Sequence, residues 1–101
     1  MTAKKPITLA DLRAKRDDIL RLAEARGVYN VRVFGSVARG DATADSDVDL
    51  LVTVKKGVDM FALVGLWLDL QEFLGCEVSL VEDKGMNESF AIAIQDDVIT
   101  L

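Results

Sequence analysis

The stretch VFGSVARGDATADSDVDLLVTV, Val33 to Val54, decides the reading of this chain. It opens on apolar residues that stop at Gly35, passes through Ser36 and a polar run, and closes on the strand-like residues Val48 to Val54. Asp47 and Asp49 stand one residue apart where the second run begins. Side chains alternate along a strand, so both carboxylates face one side while Val48 and Leu50 face the other. Two carboxylates held side by side repel unless a cation sits between them, and such hard oxygen donors suit Mg²⁺ together with waters and phosphate oxygens. Gly35 lets the backbone turn closely around a ligand, and Ser36 presents a hydroxyl beside unpaired backbone N–H groups, a seat for phosphate. Arg39, one turn further, supplies a delocalised cation for the same phosphates. Phosphate at the turn and metal at the aspartates together describe metal-assisted, in-line transfer of a nucleotidyl group. Each feature alone has a plainer reading: a glycine-serine turn, a solvated strand edge, and loop or capping roles for Asp41 and Asp45. What joins them is order, because the turn ends one strand and the aspartates open the next.

Working outward, Thr8 and Asp11 form a helix-start signal after Pro6, and Leu12, Ile19, Leu20 and Ala23 approximate one apolar stripe. The spacing predicts a first helix from about Leu9 to Arg26, stopped by Gly27. Val31, Val33 and Phe34 predict a short strand, and Ser36 to Arg39 has room for a helical turn or two before the polar loop. Beyond the second strand, Asp59 predicts the N-cap of a long helix ending at Gly75, with Met60, Leu63, Val64, Trp67, Leu70 and Leu74 at core spacing. Glu77 to Glu82 reads as a third strand, about Asn87 to Gln95 as a shorter helix, and Val98 to Leu101 as a small terminal strand or an apolar tail. Phe61, Trp67, Phe73 and Phe90 read as core or as a partner surface. This order predicts an α/β fold, a small mixed sheet of three or four strands with helices packed on it, in a single domain over residues 1–101.

Composition narrows the function classes. Twelve basic against seventeen acidic residues give a net charge of −5, a poor balance for gripping many phosphates of a nucleic-acid backbone. Lys4, Lys5, Arg13, Lys15 and Arg16 form only a modest cluster, which reads as a solvated helix surface. With one cysteine, Cys76, and no histidine, neither a disulfide framework nor a thiolate or imidazole metal site is available, and a reducing cytoplasmic setting is expected. No signal peptide is evident at the start, and the most apolar stretch, Met60 to Leu74, is too short and too interrupted to span a bilayer. A P-loop is excluded by the absence of a glycine-rich run ending in Gly-Lys-Ser/Thr.

GSVARGDATADSDVDLLV resembles the signature of the minimal nucleotidyltransferases, small members of the DNA polymerase beta superfamily, whose pattern is Gly-Ser, often Ala-Arg-Gly, then Ser-Asp-x-Asp-Leu. The resemblance is strong over Val31 to Val54, and the remaining element order fits it. It implies that Gly35 and Ser36 hold nucleotide phosphates, with Arg39 beside them, and that Asp47 and Asp49 bind Mg²⁺ or Mn²⁺, with ATP as substrate. It also implies a third catalytic carboxylate on the later strand, in a Val-Asp-Leu-Val context. Here the corresponding stretch is EVSLVE, which puts Ser79 at that place. Glu77 shares the parity of Ser79 and is the candidate substitute, but a shift of about 6.6 Å along a strand exceeds what one extra methylene recovers. Glu82 has the opposite parity, and Asp83 lies beyond the strand end.

Relatives of this size commonly pair, as antitoxins, with a helical HEPN-type toxin, either masking it or attaching AMP to a tyrosine on it. Two functions stay open on that resemblance. One is a Mg²⁺-dependent transferase moving AMP from ATP to a hydroxyl of a partner protein. The other is a catalytically impaired antitoxin or regulatory protein that masks a helical partner without turnover. The intact Gly-Ser turn and aspartate pair favour the first, and Ser79 favours the second. Homo-oligomerisation is left open.

Overall fold

The computed structural model describes residues 6–101, so Lys4 and Lys5 lie outside the described residues. The elements run α1 (Leu9–Ala14), α2 (Arg16–Ala25), β1 (Val28–Phe34), α3 (Gly35–Arg39), β2 (Val48–Val54), α4 (Met60–Leu74), β3 (Val78–Glu82), a 3-10 turn (Asp83–Gly85), α5 (Glu88–Ile94) and β4 (Ile99–Thr100). The four strands form one mixed sheet in the order β3-β2-β1-β4, with β2 and β3 parallel and β1 antiparallel to both β2 and β4. The expected mixed sheet with packed helices is therefore the fold.

Strand parity divides the sheet into two faces. Val31 and Val33 of β1, Val48, Leu50 and Val52 of β2, and Val78 of β3 join Leu12, Ile19, Ala23, Leu66 and Leu70 in the main core, beneath α1, α2 and α4. Phe34, Leu51 and Ile94 form a smaller core on the opposite face, where Val81 and Phe90 pack against it. The rings of Phe34 and Phe90 meet edge to face at 5.8 Å, fastening α5 to that side. Covering both faces explains the near-continuous Val/Leu run of β2. Full burial of Leu50 and Leu51 contributes about 2–3 kcal/mol each.

Three local expectations change. The predicted single helix over Leu9 to Arg26 is two helices, broken at Lys15, whose dihedrals (φ −103°, ψ 9°) cap α1 and start α2. Neither glycine nor proline marks that break. Tertiary contacts flank it instead: the Lys15 ammonium lies over the Phe73 ring, and Arg16 Nε donates to the carbonyl of Leu101 at 2.8 Å. The start signal itself holds, for Thr8 and Asp11 form a reciprocal capping box at 2.9 and 3.1 Å.

The first strand begins at Val28, ahead of the expected Val31, with a register irregularity between Tyr29 and Arg32 and a left-handed residue, Asn30 (φ 53°). Such a bulge lets a strand continue through a residue that reads as a turn former.

The third change concerns α4, whose expected bounds and Asp59 cap are observed but whose buried stripe is Leu66, Leu70 and Leu74, with Leu63 packed on it. Met60, Val64 and Trp67, expected in the core, are exposed. The segment is apolar on nearly every side, so its periodicity selects no face. A polar contact helps select it. Arg26 lies across Gly65, where a Cβ would overlap its guanidinium, to reach Asp69 at 2.9 Å.

Candidate functional site

The site is built where β1 ends and β2 begins. Gly35 follows Phe34 directly with φ 73°, which L side chains rarely adopt, and opens the five-residue helix α3. A Cβ at this position would also overlap Asp49 Oδ2, so the missing side chain is what lets the carboxylate lie against the turn. The ladder places Phe34 opposite Asp49, bringing the turn and the aspartate together across neighbouring strands. Ser36, half-buried, caps the other end of the helix through its carbonyl, which accepts from Gly40 and Asp41 N–H at 3.0 Å each.

Asp47 is exposed at the end of the polar loop, and Asp49 is half-buried in β2. The loop is braced internally, with Thr43 N–H donating to Ser46 Oγ at 2.8 Å and Ser46 N–H to the Thr43 carbonyl at 3.1 Å. Among the described residues neither carboxylate has a hydrogen bond or an ion pair. Burial holds the Asp49 pKa above the ordinary carboxylate value, the charge of Asp47 adds to that rise, and Arg39 opposes it. The two aspartates thus repel each other and are only partly offset by Arg39, a condition that a divalent cation with oxygen preference would relieve.

Arg39 is near enough to act on Asp49, but its bonds go elsewhere. Its Nε donates to Asp41 at 3.2 Å and its guanidinium to Asp97 at 2.9 Å. Sequence reading assigned Asp41 to the loop and did not single out Asp97. The partner lies 58 positions from Arg39, beyond the reach of any local pattern.

Across the parallel ladder Asp49 pairs with Ser79, and Val48 with Val78. The Val48 N–H donates to the Glu77 carbonyl at 3.0 Å, which carries the register one step back and sets Glu77 level with Asp47. Glu77 is exposed and precedes β3. Among the described residues no three acidic, histidine or cysteine groups converge as a metal cage. The structure sets Asp49 against Gly35 and level with Ser79, and sets Glu77 level with Asp47 without the three carboxylates converging on one point.

A cleft of about 470 Å³ adjoins the pair, lined by Asp47, by Val78, Ser79 and Leu80 of β3, and by Met60, Val64 and Trp67 of α4. The Trp67 indole N–H donates to the Val78 carbonyl at 2.6 Å, and Gln71 Oε1 accepts from the Val78 N–H at 3.2 Å, fixing α4 against this strand. The outer side of α4 is strongly apolar, with Phe61 85% and Met60 68% exposed.

Residues 13–100 match the nucleotidyltransferase domain family over most of the chain. The chain belongs to this family. Within it, the chain is similar in fold and sequence to minimal nucleotidyltransferases. A solved minimal nucleotidyltransferase structure superposes with a TM-score of 0.82 at 39% identity, covering 94% of this chain and 97% of the other. The protein adenylyltransferase MntA of Thermococcus cleftensis is 35% identical over 78 residues, 77% of this chain and 79% of its own. An MNT antitoxin solved in complex with a tri-AMPylated HEPN toxin of Shewanella oneidensis shares the fold, with a TM-score of 0.66 at 18% identity over 87% of this chain and 69% of that one. The nucleotidyltransferase fold thus accounts for a sheet in which the β1–α3 turn meets Asp49 of β2. Among the described residues no helix is long and apolar enough to cross a membrane.

Proposed function

We propose that this nucleotidyltransferase transfers AMP from ATP to a hydroxyl of a partner protein of the HEPN type, using a divalent cation, Mg²⁺ in the first instance, held at Asp47 and Asp49. The observation that carries the reading is the mutually repelling aspartate pair, with Asp49 against the Gly35 turn and Asp47 lining a cleft. Relatives named as protein adenylyltransferases, and the AMP-bearing toxin bound to a structural neighbour, support AMP as the group and a protein as the acceptor.

In this proposal the backbone turn at Gly35 and the Ser36 hydroxyl receive the triphosphate. Arg39, tethered by Asp41 and Asp97, adds positive charge close to Asp49. The acceptor oxygen forms a bond to the α-phosphorus, the bond from that phosphorus to the pyrophosphate oxygen breaks, and the acceptor proton leaves for solvent. A bound cation supplies orientation of the triphosphate and neutralisation of the departing pyrophosphate charge. Asp47 and Asp49 fix where that positive charge resides, and the exposed apolar side of α4 offers the acceptor protein a surface beside the cleft.

Incubation with labelled ATP, Mg²⁺ and a purified HEPN-type partner tests the reading. Label is expected on the partner, and it disappears in the Asp47→Ala, Asp49→Ala double variant. The masking alternative is favoured by one observation, the hydroxyl of Ser79 beside Asp49. A tight complex that carries no label, unchanged in the double variant, establishes that alternative in place of transfer.

A further inference from the structure

We infer that the aspartate pair retains a single divalent cation per bound nucleotide, and that the side chain at position 79 sets this number. The inference rests on the proposed nucleotide site and deepens it. Two cations placed close enough to share a phosphoryl group repel strongly, and sites that hold both do so with anionic bridges on more than one side. This chain supplies two carboxylates at the start of β2, Asp47 just before the strand and Asp49 within it. On the neighbouring strand the ladder partner of Asp49 is Ser79, which shares its side of the sheet and lines the cleft with Asp47. A serine hydroxyl is neutral and only a weak donor to Mg²⁺, so it cannot offset a second double charge.

Glu77 does not fill the gap. It stands one rung before the strand, level with Asp47 and two residues from the ladder partner of Asp49, and among the described residues it does not converge with the two aspartates as a metal cage. Two residues along a strand correspond to roughly 6.6 Å. Backbone position at 79 is itself well fixed, because Val78 is pinned by Trp67 and Gln71 on one side and β3 is paired with β2 on the other. An aspartate there would stand beside Asp49 with no rearrangement of the strand.

The test counts ions and does not depend on turnover. The full chain is dialysed against Mn²⁺ and the α,β-methylene analogue of ATP, which cannot lose pyrophosphate, and bound Mn²⁺ and bound nucleotide are measured separately. The expected ratio is one for the wild type, one for Glu77→Gln and two for Ser79→Asp. Circular dichroism confirms that each variant is folded, and Ser79→Glu is a second carboxylate variant should Ser79→Asp not fold. A ratio of two in the wild type, a fall below one in Glu77→Gln, or a ratio that stays at one in both folded carboxylate variants overturns the inference while leaving the nucleotide site standing. Wild type that retains no nucleotide with Mn²⁺ overturns the underlying site as well, so the two failures are distinct.

Discussion

Asp49 and Thr53 lie on the same face of β2, four residues and roughly 13 Å apart, and the carboxylates gathered at these two places have opposite fates. At the Thr53 end, Asp83 Oδ2 accepts from Thr53 Oγ1 at 2.6 Å and from Arg32 at 3.0 Å, and Arg32 also donates to Thr53 at 3.0 Å. Burial pushes the Asp83 pKa up, but the bonds from Thr53 and Arg32 outweigh it and hold the group below its ordinary value. At the Asp49 end, burial and the charge of Asp47 act in the same direction and the pKa rises. One end of the strand uses a carboxylate to hold β2 and the chain after β3 together. The other keeps a carboxylate, Asp49, whose charge costs stability in the isolated protein, and such a cost is explained by a ligand that removes it.

That contrast breaks most sharply at Asp49. Asp49→Asn is expected to lower AMP transfer by about a hundredfold or more, the scale on which loss of one electrostatic partner of a transition state is felt. Its urea midpoint at neutral pH, without metal, is expected to equal or exceed that of the wild type, because the variant removes a repelled charge. A variant that loses activity only because it unfolds contradicts this reading.

The hydrogen-bonded end should behave in the reverse way. Arg32→Ala is expected to cost about 1–3 kcal/mol in equilibrium unfolding, since it deletes a charged donor and leaves Asp83 underpaired. AMP transfer per folded molecule stays near the wild-type level. A fall in transfer as large as that of Asp49→Asn would show that the two ends are not separate.

The smallest effects sharpen the comparison through pH. Because the folded Asp83 pKa is depressed, the unfolded chain binds its proton first as pH falls. Its stabilisation is therefore complete above the ordinary carboxylate value of 3.8 and is lost as pH drops through the lower, folded value. For Asp49 the sign is opposite: the native state keeps the proton longer, so stability declines as pH rises from 3.8 through the raised folded value. Urea unfolding followed against pH, without metal, is expected to lose the second slope in Asp49→Asn and the first in Asp83→Asn. Identical pH profiles for the two variants would remove the distinction.

Much of this was legible beforehand because the informative residues are local. The bounds of β2 and α4, the Thr8 and Asp59 caps and the glycine stop at Gly75 rest on signals within a few residues of one another, and each is observed. The convergence of Gly35 on Asp49 was legible too, since a turn that closes one antiparallel strand and carboxylates that open its neighbour must meet. What escaped depends on contacts distant in sequence. The break at Lys15 answers to Phe73 and Leu101. Asp97, which holds the Arg39 guanidinium, is linked to it by no spacing rule. The face of α4 escaped for a different reason. A helix with leucine, valine, methionine or an aromatic on every side carries no amphipathic signal, and only the sheet beneath it chooses Leu66 and Leu70 over Met60 and Val64.

The pinning of Val78 by Trp67 and Gln71 has one more consequence. Among the described residues β3 is an outer strand with β2 as its one neighbour, and open strand margins invite strands from other molecules. Here both main-chain polar groups of its first residue are already occupied by side chains of the overlying helix. The fold thereby guards itself against runaway self-association at the rung nearest its chemistry, and it does so without spending a charge there.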